Sequence, residues 1–209
     1  MKRIDSTYYL YHWVKSDPYL MNQNSDYENA YVTFMKILHD TYLKHGDTYK
    51  TNGEYCICFT ESPEYFMHSD KSKYQPFGFK FLKKQIFGLG GRAVIYAPDY
   101  ERDLLPESML WRYMRHDPFA ITDRTPYGVD FTWEREWRIP EPELAVLDAT
   151  SIIVPDCEYI ERINIDTEYW LNENAEYMHA NYGHYAPHPD YEDYIDTIRR
   201  MLIVPEVFE

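Results

Sequence analysis

Residues 129–140 read V-D-F-T-W-E-R-E-W-R-I-P, which sets Glu134 and Glu136 two positions apart among tryptophans. Two neighbouring carboxylates can divide one reaction between them. One stabilises a developing cation while the other takes a proton from a nucleophile. If 129–139 is extended, alternate side chains share a face. Val129, Phe131, Trp133, Arg135, Trp137 and Ile139 then form a largely apolar rear. Asp130, Thr132, Glu134, Glu136 and Arg138 form the other face, with the two glutamates roughly 7 Å apart. Like charges at that spacing repel unless Arg138 or a neighbour compensates. The pattern reads in two ways: a solvent-facing Glu–Arg ladder on an antiparallel sheet, or a cleft lined by a carboxylate pair on a strand stiffened by its tryptophans.

Other groups carry chemistry less specifically. His12 sits in L-Y-H-W, Thr60 in C-F-T-E, and Tyr65 in S-P-E-Y. Taken singly, each has an ordinary reading: a hydrogen-bonded core histidine, a cap on the following turn, and one of 22 tyrosines. His179, His184, His188 and Asp190 lie within H-A-N-Y-G-H-Y-A-P-H-P-D, but their spacing fits no standard ligand pattern, so no metal is expected. G-L-G-G at 88–91 lacks the strand–glycine–helix context of a nucleotide fingerprint and reads as a turn. Lys83, Lys84 and Arg92, and then Arg112, Arg115 and His116, are the notable basic clusters, best read as solvated faces.

These residues need elements to hold them. The 209 residues suffice for one domain, with a core over 7–155 and a C-terminal extension over 156–209. Strands are expected at 7–14, 54–63, 77–82, 92–96, 129–139 and 151–155. Apolar residues at spacings of three and four predict a helix over 28–45, started by Ser25 or Asp26 and stopped near Gly46. Further helices are expected at 106–116 and 191–202, with a helical turn at 64–69, a short helix at 158–163, and loop with room for one helix over 164–190. This order predicts an α+β domain with mixed or antiparallel sheets and peripheral helices. The net charge of −14 disfavours non-specific binding of nucleic acid or anionic membranes and suits a partner with a basic face. Cys56, Cys58 and Cys157 form no disulfide framework. With no signal peptide and no run of about 20 apolar residues, the expected location is cytoplasmic.

C-I-C-F-T-E-S-P, P-F-G-F-K-F, G-G-R-A-V-I-Y-A-P-D, L-L-P-E-S-M-L-W-R and D-F-T-W-E-R-E-W-R-I together resemble the bacterial abortive-infection family AbiGi, over most of residues 7–155. The order of parts also resembles ADP-ribosyltransferases. These use an early strand with His or Arg, a strand ending in Ser or Thr, and a late strand with a catalytic Glu. That resemblance implies that His12 holds the adenosine ribose of NAD, that Thr60 occupies the Ser/Thr position, and that Tyr65 stacks on nicotinamide. It also implies that Glu136 is the catalytic Glu and Glu134 the first Glu of an E-x-E motif. The chain departs from the pattern in having F-T-E where S-T-S is usual.

Three functions are thereby expected to compete. One is an ADP-ribosyltransferase-like toxin or phage-defence effector that uses NAD to modify a protein or nucleic-acid acceptor, restrained by an antitoxin protein. Another is the non-enzymatic antitoxin of such a pair. The last is a hydrolase that applies the carboxylate pair to a different glycosidic or phosphate substrate. Rigid paired carboxylates favour the first, because an inhibitor needs only surface complementarity.

Overall fold

A computed structural model describes residues 7–14, 26–62, 77–122, 126 and 128–205. The turn expected at 64–69, and Tyr65 with it, lies outside them. The aromatic run near the amino end forms β1 (Tyr9–Trp13), and the helical spacing after it forms α1 (Asp26–Asp40). Then come β2 (Tyr42–Lys44), β3 (Ile57–Thr60), β4 (Gly78–Leu82) and α2 (Lys83–Gly88). The middle of the chain holds β5 (Arg92–Ala93), β6 (Ile95–Ala97), α3 (Asp99–Arg102) and β7 (Tyr113–Arg115). β8 (Glu136–Ile139), β9 (Glu143–Ala145) and β10 (Ser151–Ile153) precede α4 (Cys157–Tyr182), α5 (Pro189–Met201) and β11 (Leu202–Ile203).

Seven strands form one sheet in the order β11-β10-β4-β1-β3-β8-β5, antiparallel except for the parallel β10–β11 pair. β2 with β9 and β6 with β7 make two small ribbons. The mixed α/β architecture with a mainly antiparallel sheet follows the expected class. One sheet face presents Leu10, Phe59, Phe79 and Phe81, and these bury against Phe34 of α1 and Ile195 and Ile198 of α5. Phe34 meets the rings of Phe77 and Phe79 at 5.4 and 5.5 Å between centroids. Burying such a side chain contributes about 1.5–3 kcal/mol each. No helix among the described residues is long and apolar enough to cross a membrane.

Several elements differ from expectation for identifiable reasons. The first helix ends at Asp40 rather than near Gly46, because Thr41 turns the chain at φ 65° and Leu43 is buried from a strand instead. The run 92–96 splits into β5 and β6, and 106–116 becomes a 3₁₀ stretch, Glu107–Arg112, leading into β7. The segment 164–190, expected to be loop with room for one helix, is mostly α4. Asp156 caps that helix by accepting from the Tyr159 N–H, and Gly183 at φ 72° closes it. Its buried stripe is Ile163, Thr167, Leu171 and Ala175, one narrow and partly polar row. Even that polar member is satisfied, since the Thr167 hydroxyl donates to the Ile163 carbonyl at 2.7 Å.

The tail beyond Pro155 therefore builds the core and an edge of the sheet. Ile198→Ala should lower unfolding free energy by about 2–5 kcal/mol. Urea denaturation followed by circular dichroism checks this, and a loss near zero would mean that α5 is not packed as described.

Candidate functional site

The stretch 129–139 is not one strand. The Asp130 carboxylate accepts from the Thr132 N–H at 2.8 Å and from its hydroxyl at 2.6 Å. Such a local side-chain turn competes with an extended backbone. The chain then makes a 3₁₀ turn over Thr132–Glu134, passes through Arg135 at φ 47°, and only afterwards enters β8. Trp133 consequently lies half-exposed, and the expected tryptophan rear face does not form. Glu134 and Glu136 are instead both buried, at 6% and 7% exposure, so the solvent-facing ladder does not form either.

Three consecutive residues at the end of β3 hold this turn. The Thr60 hydroxyl donates to the Glu134 carbonyl. The Glu61 N–H donates to the Arg135 carbonyl at 3.2 Å, and the Ser62 hydroxyl donates to the Trp133 carbonyl at 2.6 Å. The side chain of Glu61, itself buried, accepts from Lys83 Nζ at 2.7 Å, from Arg135 at 3.1 Å and from the Trp137 indole at 3.0 Å. Thr-Glu-Ser and Trp-Glu-Arg thus lock together, backbone to side chain and side chain to side chain.

Behind the turn, Glu136 accepts from Arg138 Nε at 2.7 Å, and Arg138 is 2% exposed. The same guanidinium donates to the carbonyls of Trp111 at 2.6 Å and Tyr113 at 3.0 Å. Burial works against its charge, but the Glu136 carboxylate holds its pKa above the usual arginine value. The Glu136 N–H donates to the Tyr96 hydroxyl at 2.9 Å. Burial pushes that phenol up to about 12, with the charges of Glu136 and Glu134 adding to the effect. The Cys58 thiol is also pushed up to about 12, by burial first and then by the Glu136 charge, so it stays protonated and is no nucleophile at neutral pH.

Sheet register decides which expected residues meet. Tyr11 lies opposite Thr60, and Thr60 opposite Glu136, so the three share one face. His12 is the next residue along β1 and points to the other face. There its ring meets the edge of Phe59, and Nδ1 donates to the Cys58 carbonyl at 2.8 Å. The structure thus brings together Thr60, Glu134 and Glu136 and separates His12 from them; Tyr65 lies outside the described residues. Glu61, Tyr96 and Arg138 join the cluster without having stood out as site residues in the sequence. Two signals pointed to them: Glu61 follows Thr60 directly, and Arg138 stands at the i+2 position from Glu136.

The basic clusters are engaged locally. Lys83 serves Glu61, Arg92 donates to the Phe87 and Gly91 carbonyls, and Arg115 pairs with Asp99 at 3.0 Å. Among the described residues no three His, Cys, Asp or Glu side chains converge as metal ligands. His188 instead caps α5. Compared with protein-family models, curated proteins and solved structures, the chain matches none.

Arg138→Ala strands Glu136 as an unpaired buried charge and should cost about 3–5 kcal/mol. Thr60→Val leaves the Glu134 carbonyl without its donor and should cost about 1–3 kcal/mol. Thr60→Ser, which keeps the hydroxyl, should recover most of the second loss. Chemical denaturation of the three variants against wild type checks the set, and equal losses for Val and Ser would refute the hydroxyl's role.

Proposed function

We propose that the chain is an ADP-ribosyltransferase-like enzyme that uses NAD to modify a macromolecular acceptor, with Glu136 and Glu134 as its reacting carboxylates. One observation carries the reading. Two buried glutamates flank Arg135, a non-glycine residue at φ 47°, in a turn braced by Thr60 at the end of β3 and by the next two residues, Glu61 and Ser62. Burial of charge and left-handed backbone both oppose folding, the latter by about 1–3 kcal/mol. Such costs persist where surrounding contacts over-determine the geometry, and they concentrate at preorganised sites.

The residues fit NAD in part. Breaking the nicotinamide–ribose bond builds positive charge on the sugar. A carboxylate with fixed orientation stabilises that charge electrostatically. Arg138 supplies the fixing for Glu136, while Glu134 takes the acceptor's proton. Thr60 acts on the turn rather than on the dinucleotide. His12, on the opposite face, braces β3 through the Cys58 carbonyl in this reading and does not hold the ribose. The net charge of −14 favours a protein acceptor over a nucleic acid.

A second reading is favoured by Arg138 itself. A Glu136 carboxylate already paired and buried is also what a purely structural ion pair requires. The chain would then be the non-enzymatic, acidic partner in an abortive-infection pair.

Purified protein incubated with NAD and a bacterial lysate as acceptor separates the two. The enzyme reading expects free nicotinamide and labelled acceptor from wild type. Glu136→Gln, still folded by its melting profile, should react about 10²–10³-fold more slowly. Wild-type protein that releases no nicotinamide sinks the enzyme and leaves the partner protein.

A further inference from the structure

A concavity lies away from the carboxylates. A groove of about 880 Å³ opens between α4, the start of α5 and the β2–β9 ribbon. Tyr42, Tyr177, Tyr182, Tyr191 and Tyr194 line it, with Met178 between them. Its base is fixed: the Tyr194 hydroxyl donates to the Leu38 carbonyl at 2.5 Å, and the Tyr191 ring stacks on Tyr194 with centroids 6.5 Å apart. Its outer rings are open, Tyr177 being 58% and Tyr182 69% exposed. Tyr191 and Tyr194 also pack against the core, whereas Tyr177 and Tyr182 do not belong to it.

Charge selects the occupant. No lysine or arginine lines the groove, and Asp190 does. Glu173 lies close enough to reinforce the effect of burial in raising the Tyr191 hydroxyl's pKa. Residues 156–201 carry eleven carboxylates against three arginines. Arg162 is paired with Glu28, and Arg199 with Glu168. Electron-rich ring faces inside an acidic field attract cations, and a planar guanidinium stacks on tyrosine better than a compact ammonium does. An anionic peptide or a phosphate backbone would be repelled. A second copy would bring the same acidic face against itself.

We propose that this groove is the docking site for a basic polypeptide segment, which seats an arginine side chain between Tyr177, Tyr182 and Tyr191. The site does not depend on whether Glu136 reacts. It would serve to hold either a protein acceptor or a basic binding partner.

The test uses the full chain and three six-residue peptides in which glycine alternates with arginine, lysine or glutamate. Calorimetry at about 50 mM salt keeps screening low, and amide shifts in NMR spectra locate the site. The arginine peptide should bind and shift amides in residues 42–43, 145–147 and 174–191. The lysine peptide should bind about 3-fold more weakly, and the glutamate peptide not at all. Tyr177→Ala combined with Tyr182→Ala removes two exposed rings without touching the core, and should weaken arginine-peptide binding about 10-fold. Three results overturn the proposal: no binding of the arginine peptide at millimolar concentration, equal binding of arginine and lysine peptides that survives the double substitution, or self-association on gel filtration that the double substitution abolishes. The second would mean diffuse surface attraction and the third a groove filled by another copy.

Discussion

The geometry of this molecule's polar centre depends on one constraint: three successive carbonyls, of Trp133, Glu134 and Arg135, are each claimed by a donor from three successive residues, Ser62, Thr60 and Glu61. A turn with a left-handed arginine at its apex would otherwise relax toward a more populated backbone. Donors from the end of β3 and the two residues after it prevent this, and they do so in register with the strand pairing of Thr60 to Glu136. The turn therefore delivers Glu136 into the sheet at a fixed height. Arg138 follows two residues later on the same face, its Nε 2.7 Å from the Glu136 carboxylate.

That ion pair contributes more to position than to stability. Removing two charges from water costs several kcal/mol each, and good geometry offsets much of it without a large surplus. What Arg138 adds is reach. By donating also to the Trp111 and Tyr113 carbonyls, it ties β8 to the 3₁₀ stretch and to the first residue of β7. Tyr96 on β6 completes the link through the Glu136 N–H, and the Val94 N–H donates to the Glu136 carbonyl at 3.0 Å. The small β6–β7 ribbon is thus attached to the main sheet by polar contacts gathered on two residues of one short strand.

The sheet's two faces divide the labour accordingly. One is packed with phenylalanine and isoleucine against helices. The other carries a smaller group, Tyr11, Trp13 and Ile153, beside the polar row. Tyr11 and Trp13 stack at 5.6 Å with planes 7° apart. Gly78 is opposite Trp13, and a Cβ there would lie 2.5 Å from a carbon of the indole, so the ring needs glycine as its neighbour. His12 belongs to the apolar side by strand parity alone. A histidine on an aromatic strand gives no hint from composition of which face it takes; that needs register, and register is set by partners far away in the chain.

This locates what the sequence could and could not reveal. The apolar runs of β1, β3, β4 and β10 were legible, because buried strands need consecutive or alternating hydrophobic residues wherever they lie. α4 was not, because most of its surface faces water and only a thin stripe of four residues is buried. The E-R-E site was half legible. The types and spacing of its residues were visible, but alternation assumed an extended backbone, and Asp130 with Thr132 breaks that assumption by a purely local bond. The glutamates come together all the same, for a reason that alternation did not contain. A 3₁₀ turn and the left-handed Arg135 precede the strand, so Glu134 closes the turn while Glu136 opens the strand. Their placement is then a property of the turn and its three donors rather than of strand alternation. The same logic makes Arg135 more than a spacer. Its side chain reaches back to Glu61 at 3.1 Å, so the residue that bears the unfavourable φ also supplies a contact that holds it there.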